Sequence, residues 1–247
     1  MNKLKVILVG TALVLMAFTP GTALAYTSGS FEIGTTNIYR GLDLTRGVGV
    51  SGGLRHEHIS GMHGAFTTRN LGEGNRTELS AGFATRSLNW GYDIGVTQYF
   101  FSESSIFVDE SLNYMEFYGI FSAGPINLSA RYADDYLSSS DSAWYLKMDY
   151  TWRGRTGVGL NLFVGHSRGS YFSNASDEPD GGRLYAGQEG ARVTGSYNDY
   201  GMFITRSMRD FDWYMGFVST DRGDVDAEGT SDRLRWILRL ERSFDFF

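Results

Sequence analysis

The chain has 247 residues, of which 22 are Lys or Arg and 28 are Asp or Glu, so its formal net charge is −6. This acidic balance gives no basic footprint for nucleic acid, and the absence of cysteine excludes disulfide stabilisation. A content of 32 Gly, 15 Tyr and 17 Phe against 3 Pro is typical of many strands joined by tight turns.

The first 25 residues have the three parts of a secretory signal peptide. Lys3 and Lys5 give a basic start, an apolar run covers Val6–Phe18, and Ala23–Ala25 supplies small residues for cleavage. A retained anchor helix is the alternative, but the apolar run is short for a membrane span. We expect residues 1–25 to be removed and the mature chain to begin near Tyr26.

Residues 26–247 form one domain in which apolar and polar residues alternate, which is the period of a β-strand. No later apolar run is long enough for a membrane helix. The alternation predicts twelve strands, in order near residues 31–42, 48–58, 62–69, 76–86, 90–97, 115–121, 126–132, 144–153, 157–165, part of 192–208, 211–217 and 234–247.

The last strand has the most distinct pattern of two faces. Leu234, Trp236 and Leu238 share one phase, while Arg235 and Arg239 share the other. An edge strand of a soluble sandwich is one reading, but the segment is long enough for a tilted bilayer crossing of about 9–11 residues. Its aromatic end resembles the assembly signal of outer-membrane barrels, which we assign to Phe244, Phe246 and Phe247.

The connections between predicted strands alternate between short and long. Short ones fall at Ser60-Gly61, Leu88-Asn89, 123–125, 154–155 and 209–210, and longer polar ones lie between them. An even strand count with this alternation predicts an all-β fold, a transmembrane antiparallel up-and-down β-barrel of about 12 strands. Its short turns would carry a ring of aromatic residues, and the loops after strands five, nine and eleven would restrict entry.

If the apolar phase faces lipid, the polar phase lines the barrel interior. The expected lining residues are Arg40, Arg55, Glu57, Arg76, Glu78, Asp93, Glu116, Arg131, Lys147, Asp149, Arg153, Arg233, Arg235, Arg239 and Glu241. Buried charges must be paired or hydrated. The interior is therefore either a wet passage that selects solutes or a plug of paired charges. The basic track on the last strand favours an anionic or zwitterionic solute.

Three other motifs have weaker readings. Gly47–Gly52 matches GxGxxG, but strand residues follow it instead of the helix that a dinucleotide site needs. His166 and Ser167 are adjacent on a strand and so point to opposite faces, which prevents them from acting as base and nucleophile. Asp224–Gly229 opens like a calcium loop but lacks the acidic twelfth position. The histidines 56, 58 and 63 have no further ligands that would define a zinc site.

From Phe31 onward the chain resembles the TorF-type porins of proteobacteria. The resemblance is carried by Ile38–Leu42, Tyr114–Gly119, Leu128–Tyr136 and Trp144–Leu146, together with the last strand. These motifs are structural, so the resemblance implies a barrel in the outer membrane of a Gram-negative bacterium and no catalytic residues or cofactor. Expected partners are outer-membrane lipids, lipopolysaccharide, the barrel-assembly machinery and small solutes.

The combined expectation is a porin-like channel for passive diffusion of small hydrophilic solutes through a charge-lined lumen. The alternative is a non-conducting structural or adhesive barrel with a plugged lumen. An outer-membrane hydrolase ranks third, since the spacing provides no serine–histidine pair.

Overall fold

The computed structural model describes residues 25–43, 45, 47–71, 74–102, 113–170, 195–221 and 234–246. Most of the predicted signal segment, Arg233, Phe247 and most of the loops after predicted strands five, nine and eleven lie outside these ranges. Twelve antiparallel strands close into a barrel, which confirms the predicted fold. The barrel strands are β1 (Ala25–Gly34), β4 (Gly49–His58), β5 (Met62–Asn70), β6 (Asn75–Arg86), β7 (Trp90–Phe101), β8 (Tyr114–Ala123), β9 (Ile126–Ala133), β10 (Ala143–Arg153), β11 (Val158–Arg168), β12 (Ser196–Met208), β13 (Phe211–Thr220) and β14 (Leu234–Asp245). The two short strands between β1 and β4 do not belong to the barrel and are described below.

Each barrel strand pairs with its neighbour in sequence, and β14 closes the ring against β1. The closing register pairs Phe31 with Arg242 and Ile33 with Leu240, so no strand edge is left open. Every ladder is therefore satisfied within the barrel, which is the condition for a sheet to stand in hydrocarbon. Apart from strands, the described residues include a 3-10 turn at Tyr136–Ser138. They contain no helix that is long and apolar enough to cross a membrane.

The apolar phase of the strands faces outward. Trp236 is 70% exposed, whereas its neighbour Ile237 is 6% exposed and packs inside the barrel. The same alternation exposes Leu146 and Met148 on β10. A closed sheet with apolar residues outside and polar residues inside is the pattern of a barrel surrounded by lipid.

The two ends of the barrel differ. At one end, here called the turn end, five connections are short, from 59–61 on the first hairpin to 209–210 on the last. The start of β1 and the end of β14 lie side by side there, with Ser28 opposite Asp245. The other end, the loop end, carries the long connections. The exposed aromatic residues near the turn end include Trp90, Phe121, Tyr150, Trp152, Trp213, Phe244 and Phe246.

The predicted first strand, 31–42, is wrong at its C-terminal half. β1 ends at Gly34, and the chain then forms a separate two-residue pair, β2 (Ile38–Tyr39) and β3 (Leu42–Asp43), inside the barrel. Arg40 and Gly41 join them with φ values of 50° and 77°. A two-residue turn of this handedness needs positive φ at both central positions, which Gly41 accommodates without strain. We call the segment Ile38–Asp43 the lumen hairpin.

Candidate functional site: the barrel interior

One group of predicted lining residues forms a polar cluster near the turn end, between β4 and β8. Arg55 lies 3.2 Å from Glu57 and 3.4 Å from Asp93. Asp93 also accepts a hydrogen bond from the Tyr118 hydroxyl at 3.1 Å and lies 2.8 Å from the His63 ring. Asp93 therefore links four strands, and the charges in this part of the barrel are paired.

A second cluster lies closer to the loop end. Glu78 accepts hydrogen bonds from Arg76 at 2.7 Å and from Arg69 at 3.2 Å. Glu116, which is 1% exposed, faces Arg131 at 3.7 Å. Carboxylates inside a barrel need cationic partners, and Glu78 and Glu116 have two each.

The second cation against Glu116 comes from the lumen hairpin. Arg40 forms an ion pair with Glu116, and both side chains are almost fully buried. The Arg40 guanidinium lies 4.8 Å from the ring centres of Tyr39 and Tyr145 and 5.4 Å from that of Tyr136. A planar guanidinium stacks well on aromatic rings, so this environment suits arginine better than lysine.

Aromatic and apolar contacts fix the hairpin on both sides. The Tyr39 hydroxyl lies 2.9 Å from the Tyr114 hydroxyl on β8. The Arg76 guanidinium lies 4.2 Å from the centre of the Tyr39 ring. On the opposite side, Ile38 packs against the buried cluster of Phe203, Val218 and Ile237, which belong to β12, β13 and β14. Gly41 approaches Asp199 so closely that a side chain would not fit there.

The base of the hairpin is held by short polar side chains. The Asn37 amide N–H donates to Thr45 Oγ1 at 3.0 Å, and Thr36 Oγ1 lies 2.8 Å from the same hydroxyl. The Asn37 side chain donates to the backbone carbonyl of Asn70 at 2.9 Å. These bonds join both ends of the hairpin to each other and to β5.

Ionisation of the hairpin groups is shifted by their surroundings. Burial raises the pKa of the Tyr39 phenol well above its usual value, so it remains a neutral hydrogen-bonding group. Burial alone would lower the pKa of Arg40, but the Glu116 carboxylate and the surrounding tyrosines together outweigh it, and the pKa is raised well above its usual value. Arg40 therefore keeps its charge at neutral pH.

The other half of the interior, along β10–β14, contains a cavity of about 500 Å³. It extends from turn-end residues such as Gly157 to the lumen hairpin at Arg40. Charged side chains of both signs line it, namely Arg40, Arg69, Lys147, Arg153, Arg239, Glu32, Asp149, Asp199 and Asp212. Several aromatic rings complete the wall, namely Tyr145, Phe163, Phe203 and Tyr214.

Two ion pairs stand on the cavity wall. Lys147 lies 2.7 Å from Asp149, and Arg239 lies 3.6 Å from Glu32. Both cations also lie over aromatic rings. Lys147 is 4.7 Å from the centre of the Phe163 ring, and Arg239 is 4.1 Å from the centre of the Tyr214 ring. The side chains of these ion pairs are 19–29% exposed, so they remain accessible to a solute.

The remaining predicted lining residues lie toward the ends of the strands. Arg153 is exposed at the turn end of β10, and Arg235 and Glu241 are partly buried on β14. Arg233 and the loops predicted to restrict entry fall mainly outside the described residues. Among the described residues, the segment that enters the lumen is the first long connection, which the alternation pattern predicts to be strand. Its sequence signal is the Arg40-Gly41 pair, a turn dipeptide inside an apparent strand.

The other motifs do not assemble into sites. Gly47–Gly52 leads into β4, with no helix following it. His166 bonds Asn198 at 2.8 Å, while Ser167 on the other face of β11 is fully buried. Within the described ranges, no group of three or more His, Asp or Glu could hold a metal ion. The region 224–229 lies outside those ranges.

Comparison with known proteins gives a fold and no family. No protein-family model matches the chain, and no curated protein matches it. Among solved structures, a KdgM porin aligns with a TM-score of 0.53 and 11% identity, over 89% of this chain and 99% of that chain. A NanC porin aligns at 0.51 and 13%, over 91% and 100%. A KdgM porin in complex with disordered oligogalacturonate aligns at 0.51 and 10%, over 90% and 99%. At such identities these likenesses show the barrel fold alone.

Proposed function

We propose that this chain is an outer-membrane channel of porin type, through which small hydrophilic solutes pass by diffusion. The observation that carries the proposal is the charged cavity of about 500 Å³ inside a closed barrel whose outer face is apolar. A barrel that served only as an anchor would gain more stability from an apolar or fully packed interior, because unpaired buried charge is costly.

The cavity wall supports passage in a specific way. The Lys147–Asp149 and Arg239–Glu32 pairs are partly exposed, so a solute with either charge can exchange for one member of a pair. Such an exchange replaces one ion pair by another, and the displaced side chain, which is partly exposed, is hydrated by the water of the cavity. The volume lies in the range of small-molecule pockets, about 300–1,000 Å³, which limits the solute to a small molecule. The basic track on β14 favours anionic or zwitterionic solutes.

Location and biogenesis belong to the same proposal. We infer that residues 1–25 direct export and are removed, and that residues 26–247 form the barrel. Phe244 and Phe246 are exposed at the end of the last strand, where the assembly machinery would engage them together with Phe247. Lipid and lipopolysaccharide would surround the apolar face. Membership of the TorF-type porins remains part of the proposal, supported by the sequence segments quoted above.

The rival function is a non-conducting barrel with a structural or adhesive role, and the lumen hairpin favours it. The hairpin contacts β8 on one side and β12–β14 on the other, which narrows the lumen severely. A hydrolase has less support, since His166 and Ser167 lie on opposite faces of one strand. We therefore propose no enzymatic activity.

Planar-bilayer recording tests the proposal. Purified refolded protein should give discrete current steps in KCl, and proteoliposomes should swell with small sugars or amino acids but not with large oligosaccharides. Heat-denatured protein at the same detergent concentration is the control. A correctly folded barrel that gives neither current nor swelling would eliminate the channel and leave the structural role.

A further inference from the structure

We propose that the lumen hairpin is the gate of the channel and that the Arg40–Glu116 ion pair is its latch. The structure then represents the closed state, and conduction requires the hairpin to leave Glu116. This inference rests on the proposed channel function and adds to it the residue that controls passage.

The hairpin reaches nearly the whole circumference of the lumen at one level. It emerges between β1 and β4, and its ion pair is with β8, four strands beyond β4 around the ring. Tyr39 contacts Tyr99 on β7 and Arg76 on β6, and Arg40 contacts Tyr145 on β10. Ile38 packs against β12–β14. With Arg40 6% exposed, the tip of the hairpin is enclosed on all these sides.

The Arg40–Glu116 pair leaves polar atoms without hydrogen bonds. This lowers the difference in free energy between the closed and the open hairpin. Arg40 Nε and Glu116 Oε2 are buried and make no hydrogen bond with any described residue. Arg131 approaches Glu116 only to 3.7 Å. Because burial cancels much of the attraction within such a pair, it fixes a position without adding much net stability. Water would form hydrogen bonds with both groups after the hairpin moves. These bonds would offset part of the free energy that is lost when the ion pair breaks.

The hairpin has a pivot and space to move. A hydrogen bond between Asn37 and Thr45 closes its base, and a second one joins Asn37 to Asn70 on β5. The tip can therefore turn as a unit about this base. The 500 Å³ cavity lies directly beside Ile38, Arg40 and Gly41. Rotation of the tip about its base would take Arg40 away from Glu116 and connect this cavity with the loop end of the lumen, without breaking any strand pairing of the barrel.

Three variants recorded in planar bilayers test the gate. Glu116→Gln keeps the shape of the side chain and removes its charge, and it should raise the open fraction about tenfold or more, because a charge-assisted hydrogen bond is lost. Arg40→Lys keeps the charge of the latch but loses the stacking of the guanidinium on Tyr39 and Tyr145, and should give an open fraction between those of the wild type and Glu116→Gln. A deletion of residues 38–44 that joins Asn37 to Thr45 through two glycines should conduct without closing. Glu57→Gln, which weakens an ion pair away from the hairpin, is the matched control.

The outcomes separate the gate from the channel. Equal open fractions in the wild type, Glu116→Gln and the deletion would overturn the gate, because solutes would then pass beside a fixed hairpin. Current from the deletion alone, with none from the wild type or Glu116→Gln, would also overturn it and identify a permanent plug. No current from a correctly folded deletion variant would remove the channel function itself. Heat-modifiable gel mobility monitors folding of each variant.

Discussion

Reversing the charge of Arg239 should reverse the ion selectivity of the channel. Among the described residues, five basic and four acidic side chains line the cavity. Arg239→Glu leaves four basic and five acidic ones, so the sign of the balance changes. Arg239 is suited to this test because its side chain is 29% exposed and its ion-pair partner, Glu32, lies on the same wall.

The size of the effect follows from Coulomb's law. A monovalent ion about 4 Å from a charged side chain interacts with it by about 1 kcal/mol at the dielectric constant of water. Changing the side chain from positive to negative therefore alters the free energy of a passing anion by about 2 kcal/mol, or roughly thirtyfold in occupancy. At 0.1 M salt the Debye length is about 10 Å, so screening at this distance is incomplete.

The assay is the reversal potential across a bilayer with a tenfold KCl gradient. The wild type should prefer chloride weakly, Arg239→Gln should lie near zero, and Arg239→Glu should prefer potassium. Arg242→Glu is the matched control, since Arg242 lies on the same strand but in the outward phase, 48% exposed and beside Asp210. If both glutamate variants gave the wild-type reversal potential, Arg239 would not border the ion path.

Three further predictions concern stability, assembly and pH. Leu238→Arg places a charge on the outward face of β14 and should destabilise the barrel in lipid vesicles by about 2–4 kcal/mol in urea titrations, with no comparable loss if that face met water. Phe244→Ala with Phe246→Ala should lower the amount of folded barrel in outer-membrane fractions. Because burial raises the pKa of Tyr39 above its unfolded value of about 10, its neutral form supports the closed hairpin below pH 10. This support should fall as pH rises further, and open fractions recorded from pH 7 to 11 would measure it.

The fold could be predicted from the sequence because each barrel strand carries its own signal. The period-two alternation in β10 and β14 distinguishes the two faces, and short turns mark one end of the barrel. The boundaries of most strands agree within a few residues, as in β4, predicted from 48 and observed from Gly49. An up-and-down barrel needs no long-range information beyond the pairing of the last strand with the first.

The lumen hairpin could not be predicted in this way. The alternation of Thr35 and Tyr39 against Thr36 and Arg40 continues past Gly34, so the local pattern indicates strand. What turns the chain inward is a set of distant partners: Glu116 is 76 positions from Arg40. Asn70 is 33 positions from Asn37, at the base of the hairpin.

The lining charges show a related limit. Alternation indicates which side chains point inward, and the structure places Arg55, Arg76 and Arg131 inside as partners of acidic residues. Alternation does not indicate which of them border free space, because that depends on how the interior is filled across the barrel. The tyrosines that fill one half of the lumen, Tyr99 and Tyr114, are 1% and 3% exposed and were not among the predicted lining residues.

This asymmetry leads to a last prediction. Eight-stranded barrels are filled by their own side chains, and 16–18-stranded porins leave a wide channel. A barrel of twelve strands lies between these cases, and here one half is packed while the β10–β14 half holds the cavity. Solutes should therefore follow the β10–β14 wall, where Lys147 is accessible, and avoid the wall that carries Arg55.

Matched charge reversals on the two walls distinguish these paths. Lys147→Glu should lower chloride preference as Arg239→Glu does, because both side chains border the cavity. Arg55→Glu should leave selectivity unchanged, although Arg55 is 33% exposed and faces the interior, because it stands in the packed half beside Glu57 and Asp93. Equal shifts from Lys147→Glu and Arg55→Glu would mean that ions use the whole cross-section, and the cavity would then not define the path.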